Sequence, residues 1–287
     1  MNFTEIFEFL KPLILPAFIS LIVSSIVPHY LKKIENRDKT KLEYEHEQRK
    51  KNHELIGRYK GKLVNSANSL LQRQLNIYKN HQKGWLSRSS KTNSDGYYFC
   101  STAYRFLCFF SIVRQLDIEA VLLDPQIAKE DDFIFLKYIA LINWVMTDVS
   151  LFDGINYDDS IQKDHFYSDE FRQLAEKCIS EGKLISFENF KSGPFSNGDI
   201  EQVLKFFDGL SKSEERLRWD RLVALHLLLM AFLNKFGYDW QKSNSSNFKT
   251  IVDHINNKIV LNNLIKWIEK YHLSCEEVKN IKNHIKN

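Results

Sequence analysis

The 287-residue chain has little glycine (10), proline (5), cysteine (4) or methionine (3). Few residues therefore interrupt helices, Leu, Ile, Lys, Asn and Glu are plentiful, and apolar residues recur mostly at helical spacing. The expected fold class is all-α. The four cysteines, Cys100, Cys108, Cys178 and Cys275, form no C-x-x-C pair. Scattered thiols in a chain of this length point to reduced, mostly buried residues in a cytosolic setting, with a Cys100–Cys108 disulfide as the alternative.

The nine histidines contain no H-x-x-x-H or H-E-x-x-H, so no preformed zinc site is expected. There is no G-x-x-x-x-G-K-[ST], no G-x-G-x-x-G after a strand and no G-x-S-x-G, which removes the usual nucleotide-binding and acyl-transfer signatures. The acidic stretch "DGINYDDS" (153–160) lacks the ligand order and glycine of an EF-hand and reads as a solvated turn. No cofactor is expected.

Long apolar runs are also missing, with one exception. No charged residue occurs from Pro12 to Leu31 in "PLILPAFISLIVSSIVPHYL". A helix of that length, about 30 Å, reaches across a hydrocarbon core. Pro12 suits a helix start, Pro16 a kink that membrane helices tolerate, and Pro28 the far interface; Phe18, Ile22 and Leu31 supply apolar surface. The run is long for a signal peptide and no small-x-small cleavage site follows it. Behind it come Lys32, Lys33, Arg37, Lys39 and Lys41, whereas only Lys11 precedes it. The positive-inside rule then puts residues 1–11 outside and the rest inside a bacterial cytoplasmic membrane, as a single-pass protein. An interfacial helix lying on the membrane is the alternative. Ala17, Ser20 and Ser24 fall near one helical face, where small residues would let spans associate into a homo-oligomer, or a membrane-perturbing one.

Net charge is +4, and its placement matters more than its size. Residues 32–62 carry eleven Lys/Arg against six Asp/Glu, so residues 63–287 balance to zero. A basic segment beside an apolar run fits anionic lipid headgroups. It argues against a broad nucleic-acid footprint on the remainder. Segment 32–54 is polar on all sides, with opposite charges four residues apart, and reads as a solvated helical stalk.

From residue 55 the pattern changes. Leu55, Tyr59, Leu63, Ala67, Leu70, Leu71, Leu75 and Tyr78 mark one buried helical stripe, which opens a multi-helix bundle over 55–287. Further helices are expected at 97–123, 132–148, 169–180, 199–210, 214–236, 247–271 and 275–286. "SKSE" (211–214) and "SCEE" (274–277) match capping boxes, and Gly237 fits a helix stop. Residues 222–233 are apolar on every face except for His226, as befits a central core helix.

The stretches "ELIGRYKGKLVNSANSLLQRQLNIY" and "YRFLCFFSIVRQLDIEAVLLD" resemble a family of bacterial helical proteins of unknown function with an N-terminal membrane anchor. Arg58, Tyr59, Leu71, Gln72, Arg73, Asn76 and Ile77 carry the resemblance, and Lys62 stands where the pattern has proline. It implies fold and location, and no activity.

Two sets of residues bear on chemistry. Arg221 and His226, in "RLVALH", fit the R-x4-6-H signature of the all-helical HEPN ribonucleases, where such a pair polarises a phosphate and shuttles a proton. With 11 Arg and nine His, about one such spacing arises by chance, and a hydrogen-bonded core histidine is the competing reading. Arg105 and Arg114, on an apolar helix, are expected to pair with carboxylates or to take a phosphorylated ligand. "ERLRWDR" (215–221) reads as an ion-paired face from which Trp219 could stack a base. The functional expectation is a non-enzymatic membrane protein whose helical domain binds a protein partner or signal, as accessory or effector components of defence and signalling systems do. The alternatives are a tethered HEPN-like ribonuclease and the membrane-perturbing oligomer.

Overall fold

The computed structural model describes residues 3–88, 96–120, 127–273 and 276–285. Within these ranges the side chains at 3–15, 17–19, 25–26, 276–277, 280 and 284–285 fall outside the description. The fold is all-α: ten α-helices are found among the described residues, with one two-residue hairpin. Contacts divide the chain into two units, residues 1–51 and 52–287.

The first unit is helical from Phe3, the start of α1 (Phe3–Asn80), and the helix runs on through Pro12, Pro16 and Pro28. Its described side chains are almost all exposed, including Leu21, Ile22, Val23, Val27, Leu31 and Ile34. Glu45 and Arg49 form one of the expected four-residue ion pairs at 3.8 Å. Among the described residues no helix is long and apolar enough to cross a membrane. The transmembrane part of the expectation therefore has no support there. Lys32 and Lys33 follow Leu31 at once. The side chains of Pro12, Ala17 and Phe18 lie outside the described residues.

In the second unit the expected stripe on α1 is buried: Leu55, Tyr59, Leu63, Ala67, Leu70, Leu71 and Tyr78 all lie in the core, with Leu75 packed at its edge. Burying a Leu or Tyr side chain of this kind stabilises by about 1.5–3 kcal/mol, which is why this stretch of helix docks. Its partners are α2 (Tyr97–Ala120) and α7 (Arg218–Phe236): Arg73 reaches Ser101 and Tyr98 on α2, and Tyr78 packs edge-on against Trp219 of α7.

Helix α2 packs against α4 (Ser168–Glu176) and α6 (Glu201–Phe207). Phe106, Phe110, Phe166, Phe171, Phe206 and Phe207 join there as a cluster of rings. Helix α7 is buried on every side from Arg218 to Leu233 and contacts α3 (Glu130–Thr147), α8 (Ser245–Val252), α9 (Lys258–Lys270) and α10 (Glu276–Ile285). It is the central core helix that its unbroken apolar pattern predicts.

Three boundaries differ from the sequence reading. The helix expected at 169–180 stops at Glu176, and β1 (Ile179–Ser180) pairs antiparallel with β2 (Lys183–Leu184). Glu181 and Gly182 both take positive φ (51° and 74°), the two-residue turn that a hairpin requires. One helix expected over 247–271 is two, α8 and α9, broken at 253–257 by contacts to a distant carboxylate described below. Helix α7 starts at Arg218 rather than 214, although Glu214 does accept from the Ser211 N–H at 3.4 Å as half of the expected box. A short helix, α5 (Phe187–Phe190), completes the set. Cys100, Cys108 and Cys178 are buried and unbridged, and burial pushes the Cys100 and Cys108 thiols up to about 11. Cys275 and the "SCEE" box lie outside the described residues.

Candidate functional site

The chemistry-bearing residues of "ERLRWDR" are gathered at the start of α7, and their partners are helix ends. Arg218 donates to the carbonyls of Lys205, Phe206 and Asp208, the last turn of α6, and to the Glu214 carboxylate. Asp220 accepts from the backbone N–H groups of Asn256 and Asn257 at 2.8 and 2.9 Å, the entry to α9. Asp164 accepts from Arg216 at 2.7 Å and from the Leu217 N–H that leads into α7. Helix ends leave N–H and C=O groups without partners. Charged side chains here supply those partners with the sign that the helix dipole favours.

Arg221 belongs to the same set. It is fully buried and donates to the carbonyls of Val145 and Asp148, the closing turn of α3, with its guanidinium 4.4 Å from the Phe152 ring centre. Burial pulls its pKa down to about 9, against the opposing pull of Tyr157, Asp164 and Asp148, so the group stays charged near neutral pH. His226 is 1 % exposed. Its Nδ1 lies 3.0 Å from Gln74 Oε1, which fixes Nδ1 as the protonated nitrogen when the amide oxygen faces it. Burial, then the neighbouring His254, lowers its pKa to about 3, leaving a neutral imidazole. The pair of the alternative, ribonuclease-like reading thus has its arginine committed to a helix end and its histidine to Gln74. Nothing in this arrangement presents the two to a common phosphate. Trp219 is buried and donates to the His254 carbonyl at 2.8 Å, so it cannot stack a base.

The other candidates are accounted for locally. Arg114 pairs with Glu176 at 2.8 Å and Arg105 donates to the Ser69 carbonyl at 3.3 Å. In the 153–160 loop Asp158 accepts from the N–H and hydroxyl of Ser160, which lowers its pKa. Among the described residues no group of His, Cys, Asp and Glu is placed to hold a metal ion. Pro16, Ser20, Ile22, Ser24, Pro28 and Leu31 are exposed, as are Lys32, Lys33, Arg37, Lys39 and Lys41. Ser24 donates to the Leu21 carbonyl within its own helix at 3.3 Å.

One feature lies outside every expectation drawn from the sequence. A cleft of about 210 Å3 opens between α1, α7, the turn at Asp239–Gln241 and α8, with Leu71, Leu75, His226, Met230, Trp240 and Ile251 among its lining. The turn is tightly held. Asn234 exchanges two hydrogen bonds with the backbone of Ser243, and Gln241 accepts from the Tyr238 N–H. Gly237 is required, because a Cβ there would stand 2.5 Å from the Leu233 carbonyl oxygen. The one sequence signal was "FGYDWQ", a glycine followed by two aromatics.

Compared with protein-family models, curated proteins and solved structures, the chain matches none.

Proposed function

We propose that the protein is a single-pass, membrane-anchored helical protein of a bacterial cytoplasmic membrane. In this reading residues 12–31 anchor it, Lys32, Lys33, Arg37, Lys39 and Lys41 at the start of the helical stalk 32–54 meet the headgroups, and the domain 55–287 binds a protein partner or signal on the cytoplasmic side as an accessory or effector component. The carrying observation is the row of exposed apolar side chains Leu21, Ile22, Val23, Val27 and Leu31, followed directly by exposed Lys32, Lys33, Arg37, Lys39 and Lys41. Exposed Leu and Val in such a row gain about 25 cal/mol per Å2 when covered by acyl chains. Each basic residue near anionic headgroups adds about 1 kcal/mol.

The test is fractionation of the full chain after expression, followed by an alkaline carbonate wash. The expected result is a chain that sediments with membranes and resists the wash, and that is released when 1–31 are deleted. A chain washed off by carbonate lies on the surface only. A full chain in the soluble fraction ends the membrane reading.

A further inference from the structure

Helices α1 and α2 run antiparallel, and polar bonds form rungs between them. Tyr98 donates to Asn76 at 2.7 Å, Arg73 to Ser101 at 2.8 Å, and Arg105 to the Ser69 carbonyl at 3.3 Å. Successive rungs are three or four residues apart on both helices, which is about one turn, roughly 5 Å. Arg73 reaches out from α1 and Arg105 reaches back from α2 on neighbouring rungs. Two guanidinium groups are thereby placed side by side.

This pair has no counter-ion. Six of the other seven arginines beyond residue 52 pair with a carboxylate, and the seventh, Arg221, closes a helix. The partners of Arg73 and Arg105 among the described residues are a hydroxyl, a carbonyl and a ring. These hold the side chains without neutralising them. Burial and then Arg105 lower the Arg73 pKa, and the neighbours that oppose them are Tyr98 and Tyr97, with no carboxylate among them. Like charges set together without an opposite charge cost free energy, which a bound anion recovers.

The site is also built in advance. Arg73 is 8 % exposed, and its guanidinium carbon lies 4.2 Å from the Tyr98 ring centre. Tyr98 is itself held by Asn76 and by Trp85, edge-on at 5.1 Å. The guanidinium is therefore oriented before a ligand arrives, which lowers the cost of binding. Ser101, 4 % exposed, accepts from Arg73 and keeps its own hydroxyl proton without an acceptor among the described residues. Arg105 and Ser69 are half-buried, so the pair is reached from solvent on that side. Arg221 has a sealed Nε without a partner, whereas neither Arg73 nor Arg105 has a sealed, unpartnered N–H among the described residues.

Two cations with spare N–H groups call for a ligand with two negative charges and several acceptor oxygens. A carboxylate brings one charge and two oxygens. A phosphomonoester brings a charge of about −1.5 to −2 at pH 7 and three oxygens. We propose that Arg73 and Arg105, with the Ser101 hydroxyl, bind the phosphoryl group of a phosphomonoester. The proposal names the signal taken by the helical domain and rests on that half of the functional reading. Membrane attachment is tested by fractionation and stands or fails separately.

The experiment is calorimetric titration of the full chain in detergent with inorganic phosphate, glycerol 3-phosphate and acetate at fixed ionic strength. It is repeated with Arg105→Gln and Arg105→Lys. Both phosphates should bind and acetate should not, and Arg105→Gln should weaken binding at least about tenfold, as loss of a charged hydrogen bond predicts. Arg105→Lys keeps the charge but not the planar fork, so it should bind more weakly than the native chain and more tightly than Arg105→Gln. It also serves if Arg105→Gln does not fold. Phosphate should raise the unfolding temperature of the native chain. Flotation on phosphatidic acid vesicles then identifies the source. Equal flotation of the native chain and Arg105→Gln assigns a soluble ligand, and a loss in the variant assigns a lipid headgroup; both keep the site. Binding of neither phosphate, acetate binding as tightly as phosphate, or undiminished binding by the variants would overturn the proposal.

Discussion

Residues 20–51 and residues 52–80 belong to one unbroken helix, yet they follow two different sequence rules. In the second stretch apolar residues return every three or four positions, and that stripe is buried to the last turn. In the first, apolar residues are crowded into 20–34 and charges into 32–51, and almost every described side chain is exposed. Continuity of backbone hydrogen bonds therefore does not report what stabilises a helix. Stretch 52–80 is stabilised by packing on α2 and α7, whereas 20–51 has its surface still to be covered or solvated. Helical propensity and four-residue ion pairs contribute only a few tenths of a kcal/mol each there.

The contrast predicts that substitutions in the two regions act on different observables. The largest effect should come from Arg221→Ala, which strips partners from the Val145 and Asp148 carbonyls and leaves a void at the end of α3. Chemical denaturation should show a loss of about 3–5 kcal/mol. A ribonuclease arginine would instead be replaceable without loss of stability. His226→Ala should cost about 2–4 kcal/mol by cavity formation and by orphaning Gln74.

The same histidine makes stability depend on pH. Its folded pKa, about 3, lies below the ~6.5 of an exposed histidine, so the unfolded chain binds more protons between those values. Its contribution is full above pH 6.5 and is lost as pH falls towards 3. Lowering pH from 7 to 5 should remove about 2 kcal/mol, and His226→Leu should flatten that slope. His165, His254 and His81, each lowered chiefly by burial, act in the same sense.

Gly237→Ala should cost about 1–3 kcal/mol by forcing the turn after α7 off the Leu233 carbonyl, and would also displace Trp240. The smallest stability effect is expected from the double substitution of Lys32 and Lys33 by Glu, within about 0.5 kcal/mol in unfolding. In vesicle flotation, however, that variant should lose affinity by at least about 2 kcal/mol, roughly thirtyfold. An unfolding shift as large as that of Gly237→Ala would mean that residues 20–51 share in the folded core.

Local pattern made some of this legible. The stripe from Leu55 to Tyr78, the all-apolar α7 and the acidic 153–160 turn each rest on neighbours within a few residues, which periodicity and turn chemistry report. Partners far along the chain were not legible. Asp220 caps the entry to a helix 36–37 residues later, and Arg221 closes a helix 73–76 residues earlier. No spacing rule marks either contact. The spacing that suggested a nuclease pair, Arg221 to His226, reflects two independent packing duties on one helix. The cleft escaped notice because Leu71, His226, Trp240 and Ile251 come from three helices and a turn. The hairpin at 179–184 was hidden by its length, since two-residue strands carry no alternation to read.

The most direct test of the two-region account is backbone hydrogen–deuterium exchange of the full chain, with and without vesicles of anionic lipid. The account predicts that vesicles slow exchange across 12–31 and leave 52–80 and α7 unchanged, because those helices are already protected by their own packing. Exchange over 12–31 that is the same with and without lipid, or protection that appears only in the 52–287 unit, would contradict it.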